Sequence, residues 1–134
     1  MSSEAEVIAA NAAFYEAFAA RDEDAMDALW SESASVVCIH PGWAPLRGKE
    51  LVMESFRGIF ANPRGPIVRA SRASAHVLGE TAFVICFETV GGARLVATNV
   101  YVREHGAWLL VHHHAGPVAD DELTEEEPSP GDLN

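Results

Sequence analysis

The sequence predicts an α+β fold, a cone-shaped curved antiparallel sheet covered by three N-terminal helices. Three observations carry this. Apolar residues recur at helical spacing only before residue 61. From Ile67 to Ala115 the chain instead reads as long strands joined by short Gly-rich turns. Long antiparallel strands twist and coil, so one face of such a sheet becomes concave and needs amphipathic helices to cover it.

The first helix is expected over Glu4–Ala20, where Val7, Ile8, Ala10, Phe14, Ala17 and Phe18 recur at three- and four-residue spacing. Ser2 or Ser3 can cap it. Asp22 is a candidate N-cap for a second helix over Glu23–Trp30, striped by Met26, Leu29 and Trp30. Ala34–His40 reads as a strand stopped by Pro41-Gly42. A third helix from Gly48 or Lys49 to about Phe60 ends at Asn62-Pro63 and Gly65-Pro66. Four strands follow, Ile67–Leu78, Ala82–Val90, Arg94–Arg103 and Trp108–Ala115. They turn at Gly79-Glu80, Gly91-Gly92 and Glu104-His105-Gly106.

The chain has 134 residues and a formal charge of −11. Pro117–Asn134 holds Asp120, Asp121, Glu122, Glu125, Glu126, Glu127 and Asp132 and no base, leaving 13 of the 20 acids against all 9 bases in the rest. The expected organisation is one folded domain over residues 1–118 and an acidic flexible tail over residues 119–134. No basic stripe is present, so nucleic acid is not an expected partner. No apolar run reaches the ~18 residues of a membrane span. The acidic N-terminus does not read as a targeting segment, and Cys38 and Cys86 lie in apolar strands as expected buried thiols, so a cytoplasmic location is expected. No Gly-rich phosphate loop or cysteine cluster is found, and no cofactor is expected.

This order of elements resembles the nuclear transport factor 2-like (cystatin-like) superfamily, which holds ketosteroid isomerase and SnoaL-like polyketide cyclases. The resemblance rests on Asn11–Trp30, on Val37–Trp43 with Leu46-Arg47-Gly48, on Thr98–Tyr101 and on Trp108–Gly116. It covers about residues 5–118. It implies the cone and a sheltered pocket, and, through the outer face of the sheet, a homodimer. It does not by itself imply one activity, because this superfold hosts enzymes and assembly modules alike.

Strict alternation along the last strand puts Leu109, Val111, His113 and Ala115 on one face and Trp108, Leu110, His112 and His114 on the other. The last strand also resembles the association domain of calcium/calmodulin-dependent kinase type II. That resemblance matches Ala115 and Asn99 to pocket arginines, which implies that the His113 face looks inward, opposite Asn99. His113 is then either a proton carrier or a core histidine bonded to Asn99. His112 and His114 would lie in the dimer face; a His-x-His pair falls short of the three or four ligands zinc requires, and no metal is expected.

His40, at the lip of the Pro41-Gly42 turn, sits near the place of a catalytic aspartate in ketosteroid isomerase. It is either a second proton carrier or a turn-bonded strand end. Tyr15 occupies a first-helix position like the carbonyl-polarising tyrosine of that enzyme, or is core. Trp43 is expected to wall or lid the pocket, and Phe56 to line it. Glu88 and Arg94, flanking Gly91-Gly92, read as a weak cross-strand ion pair. The functional expectation is a pocket for a small apolar or carbonyl-containing ligand, with acid–base conversion of the isomerase, dehydratase or cyclase kind. In that case His40 or His113 carries the proton, and Tyr15 and Asn99 orient an oxygen. The alternative is a non-catalytic dimerisation or partner-docking module.

Overall fold

A computed structural model of the chain describes residues 2–119. Three helices precede a six-stranded sheet: α1 (Ser3–Ala20), α2 (Glu23–Leu29), β1 (Val37–Ile39), β2 (Leu46–Arg47), α3 (Lys49–Ala61), β3 (Val68–Leu78), β4 (Thr81–Val90), β5 (Ala93–Glu104) and β6 (Ala107–Pro117). The expected tail, apart from Ala119, lies outside the described residues.

Local chemistry accounts for the helix starts. Ser2 Oγ accepts the Ala5 amide at 3.1 Å, and Asp22 Oδ1 accepts the Ala25 amide at 3.0 Å. One turn of α1 ends at Arg21, whose guanidinium then donates to the carbonyls of Ile59, Phe60, Asn62 and Gly65. These carbonyls lie at the C-terminal end of α3 and in the loop behind it, where Ile59 and Asn62 also accept the Asn62 and Gly65 amides, so Arg21 ties the two helices together at one end. Gly65 fits there because a Cβ would stand 2.8 Å from the Ile59 carbonyl oxygen.

The strand order is β2-β1-β6-β5-β4-β3. β3 to β6 form the expected antiparallel meander, and Gly91 (φ 54°) and Gly92 (φ 88°) supply the left-handed backbone of the β4–β5 turn. β1 is shorter than expected and adds to the far side of β6 in parallel, so the full sheet is mixed. Phe14, Trp30, Met26, Val52, Phe56, Val84 and Leu110 fill the space between helices and sheet.

Strict alternation on the last strand fails at one residue. Val100 pairs with His112 but Tyr101 pairs with Leu110, which leaves Val111 as an extra residue. This bulge shifts the phase by one. Trp108 and Leu110 therefore face inward together with His113 and Ala115, while Leu109 is half-buried on the outside. The expected grouping of Leu109 and Val111 with His113 is corrected accordingly. A second irregularity, between Ser71 and Ser74, carries Arg72 at φ 57° and bends β3.

Candidate functional site

The concave face of the sheet, α1, α3 and the β1–β2 loop enclose a mostly apolar cavity of about 380 Å³. Phe14, Tyr15 and Phe18 come from α1, Phe56 and Ile59 from α3, and His40, Pro41 and Trp43 from the strand end and loop. Val68, Glu88, Val90, Ala93, Leu95 and His113 come from the sheet. Among these lining residues there is no lysine or arginine.

Its floor is a hydrogen-bonded chain across four elements. His113 Nδ1 lies 2.5 Å from Asn99 Oδ1. Asn99 Nδ2 donates to Asn11 Oδ1 (2.9 Å) and to the Tyr15 oxygen (3.2 Å), and Tyr101 donates to Asn11 Oδ1 at 2.8 Å. Tyr15 O–H donates to Glu88 Oε2 at 2.6 Å. Since the Asn99 amide nitrogen donates, its oxygen accepts, and His113 carries its proton on Nδ1. The bare Nε2 of His113 then faces Glu88 Oε2 at 3.9 Å.

Burial sets the charge states. Burial, with the nearby His40, His112 and His114, lowers His113 to about 3. Burial raises Glu88 above the usual carboxylate range, a shift the Tyr15 hydrogen bond partly offsets. Burial, with the Cys86 and Glu88 charges, also pushes Tyr15 upward, so its phenol stays protonated. The floor is thus a neutral imidazole beside a carboxyl group that holds its proton more tightly than usual.

At the mouth, His40 Nε2 lies 2.9 Å from Ser55 Oγ, and Ser55 donates to the Val52 carbonyl at 2.6 Å. With the one serine proton so directed, His40 donates through Nε2–H. Burial lowers His40 to about 4. Trp43, 49% exposed, stands edge-on against His40 at 4.8 Å between ring centroids.

His40, His113, Tyr15, Trp43 and Phe56 are brought together around one cavity. Asn99 is not: it is fully buried beneath the floor and positions Tyr15 and His113 instead of touching the cavity. Tyr15 does not present its proton to a ligand carbonyl, because Glu88 takes it. Phe56 lines the cavity and is also a core hub, in ring contact with Phe14, Phe18, Trp30, His40 and Phe60.

The sequence reading of Glu88 is overturned. The register places Glu88 opposite Leu95 and Arg94 opposite Thr89, so the two side chains leave opposite faces of the sheet. Glu88 is 4% exposed and lines the cavity, while Arg94 lies over the Phe87 ring at 4.8 Å. The signal was available: Ala82, Val84, Cys86 and Glu88 share one parity on an apolar strand. Asn11 was also missed, a polar residue within the Val7–Phe14–Phe18 stripe. His112, on the outward side, donates Nδ1–H to the Val37 carbonyl at 3.0 Å.

Comparisons with known proteins agree on the family. A crystal structure of a candidate dehydratase of the NTF2-like family from Streptomyces avermitilis is 35% identical. It superposes with a TM-score of 0.77 over 86% of this chain and 95% of that one. A candidate calcium/calmodulin-dependent protein kinase type II association domain from Thiobacillus denitrificans is 34% identical, with a TM-score of 0.73 over 84% of this chain and 94% of that one. The F-box protein SKIP8 of Arabidopsis thaliana is 28% identical over 118 residues; the match spans 87% of this chain and about half, 51%, of that protein. The family model for the SnoaL-like domain matches residues 7–120, and the chain belongs to the SnoaL-like family of the nuclear transport factor 2-like superfamily.

Proposed function

We propose that this protein binds a small, largely apolar molecule in the cone and moves a proton on it, an acid–base conversion of the dehydratase or isomerase kind. The observation that carries this reading is the bare Nε2 of His113 at 3.9 Å from a buried Glu88 carboxyl, at the floor of an apolar cavity. His113 is the base. Burial leaves Nε2 unprotonated and so open to a ligand proton, but with its pKa lowered to about 3 it is a weak base in the empty cavity, and a negative charge on the bound ligand must strengthen it. Glu88, raised by burial, is the group able to give one back. The 3.9 Å separation suits two groups acting on neighbouring atoms of one ligand face. Tyr15 and Asn99 are positioning residues, and Trp43 and Pro41 shield the mouth from water. The name of the Streptomyces relative supports the same reaction class.

The test is turnover of a panel of hydroxy-carbonyl and unsaturated carbonyl compounds followed by proton NMR in deuterated water. Exchange or conversion that is lost in both His113→Gln and Glu88→Gln, with the folded spectrum retained, is the expected result. No exchange by the native protein, with His113 titrating near 6.5, would sink the reading.

A second observation supports self-association. Outward positions of the sheet are apolar and only half-buried in the single chain, among them Phe83, Ile85, Phe87, Val96, Val100 and Val111. A face of this kind marks an interface, and a homodimer formed through it fits the relative named as an association domain. Val100→Arg is expected to halve the mass measured by light scattering; an unchanged mass, or a monomeric native protein, would exclude this face.

A further inference from the structure

The polar atoms of the floor have a bias that narrows the ligand class. The Tyr15 phenolic proton goes to Glu88, that of Tyr101 to Asn11, and the His113 N–H to Asn99. What remains directed at the cavity is His113 Nε2, an acceptor, and the Glu88 carboxyl, an acceptor whenever ionised. A carbonyl anchored here would meet no donor other than a protonated Glu88. An anionic head would meet a carboxyl with no lysine or arginine in the lining to offset it. A head that brings its own donors fits.

We infer that the pocket recognises its ligand through a basic amine head, seated between Glu88 and His113 Nε2, with an apolar body against Phe14, Phe18 and Phe56. An atom at hydrogen-bond distance from both Oε2 and Nε2 sees them at close to a right angle, which an sp³ nitrogen spans with two N–H bonds. Proton balance is simple. An amine entering as free base takes the proton of a neutral Glu88; one entering as ammonium pairs with an ionised Glu88, and where Glu88 still holds its proton that proton is released to solvent; in each case one ammonium faces one carboxylate. The ion pair supplies the counter-charge that the buried carboxyl lacks among the lining residues. The aromatic walls accept a cation across their faces. The formal charge of −11 adds a long-range attraction of the same sign. This inference rests on the proposed small-molecule pocket and not on the acid–base step: an ammonium bonded to both groups occupies the same two atoms that step would use, so an amine ligand sits on the floor in place of a substrate whose proton His113 removes.

The experiment is calorimetric titration at pH 7 with three probes of one skeleton: 2-phenylethylamine, 2-phenylethanol and phenylacetate. The amine is expected to bind at least about tenfold tighter than the alcohol, with phenylacetate weakest. Glu88→Gln is expected to remove about tenfold or more of the amine affinity while leaving the alcohol within about threefold. An alcohol or carboxylate that binds as well as the amine, or an amine indifferent to Glu88→Gln, overturns the amine assignment and leaves the pocket standing. Silence from all three probes overturns both.

Discussion

The floor and the mouth of the cavity each hold a buried histidine lowered well below its ordinary pKa, yet they are built differently. His113 is held by a chain that joins α1, β4, β5 and β6 through Asn11, Tyr15, Glu88 and Asn99. His40 is held by Ser55 alone among side-chain oxygens, and its other neighbours are rings and the Cys38 thiol. The floor therefore fixes its imidazole from several elements at once, as proton chemistry at a set distance requires. The mouth fixes its imidazole by one bond to α3 and an exposed tryptophan, which suits a group that ligands must pass. The two rings also carry opposite tautomers, Nδ1–H at the floor and Nε2–H at the mouth.

The sharpest way to break this contrast is Asn99→Leu. Leucine fills the space but leaves the His113 N–H without its acceptor and removes the donor to Tyr15 and Asn11, all buried. Unpaired buried groups cost about 1–3 kcal/mol each, so a loss of about 3–4 kcal/mol in urea unfolding is expected. A loss under about 1 kcal/mol would mean that the floor is not a cooperating network.

Acid should come next. His40 and His113 are neutral in the fold down to about 4 and about 3, whereas an unfolded histidine takes its proton near 6.5. Below 6.5 the unfolded chain therefore binds more protons, and stability falls as pH drops toward 4; above 6.5 this contribution is constant. Glu88 works in the other direction, since its raised folded pKa makes stability fall as pH rises through it. The histidines act in number, so a net loss on the order of 2–3 kcal/mol between pH 6.5 and 4 is expected by urea denaturation. Stability rising over that interval would contradict two buried neutral histidines.

How far the sequence discloses this depends on whether a feature follows the period of its element. The meander was legible because Gly91-Gly92 and His105-Gly106 punctuate strands of uniform alternation, and the helices because Ser2 and Asp22 precede them. His113 and Asn99 were placed opposite one another through a resemblance, and the register pairs them. The extra residue at Val111 was not legible: with histidines at 112, 113 and 114, polarity gives no sign of where alternation slips. Glu88 was misread for a different reason. A charged residue near a Gly-Gly turn was given to a cross-strand ion pair on its type, when its parity with Cys86 placed it inside. Asn99 was given to the ligand because the resemblance matches it to a pocket arginine. Only three-dimensional packing shows that its amide is fully used by Asn11, Tyr15 and His113.

Glu88→Gln separates stability from function at the floor. Glutamine keeps an oxygen for the Tyr15 O–H and removes a carboxyl that burial disfavours when ionised. A gain of about 1 kcal/mol at pH 8, shrinking as pH falls toward 4.5 where the native carboxyl is itself protonated, is the expected outcome by chemical denaturation. A loss of stability at pH 8 would mean that the carboxylate is compensated where it stands.

The smallest effect is expected at the mouth, from Ser55→Ala. The alanine removes the acceptor of His40 Nε2–H, but Ser55 is only half-buried and water can replace the hydroxyl. A loss below about 1 kcal/mol follows. The informative readout is nitrogen chemical shift rather than stability. In the native protein Nε2 of His40 and Nδ1 of His113 should be the protonated nitrogens. In Ser55→Ala the His40 ring, left with only the weak Cys38 thiol contact, should become a mixture of tautomers while His113 is unchanged. If both rings respond, the mouth is wired to the floor through Phe14 and Phe56, and the contrast between a network-held and a singly held histidine does not stand.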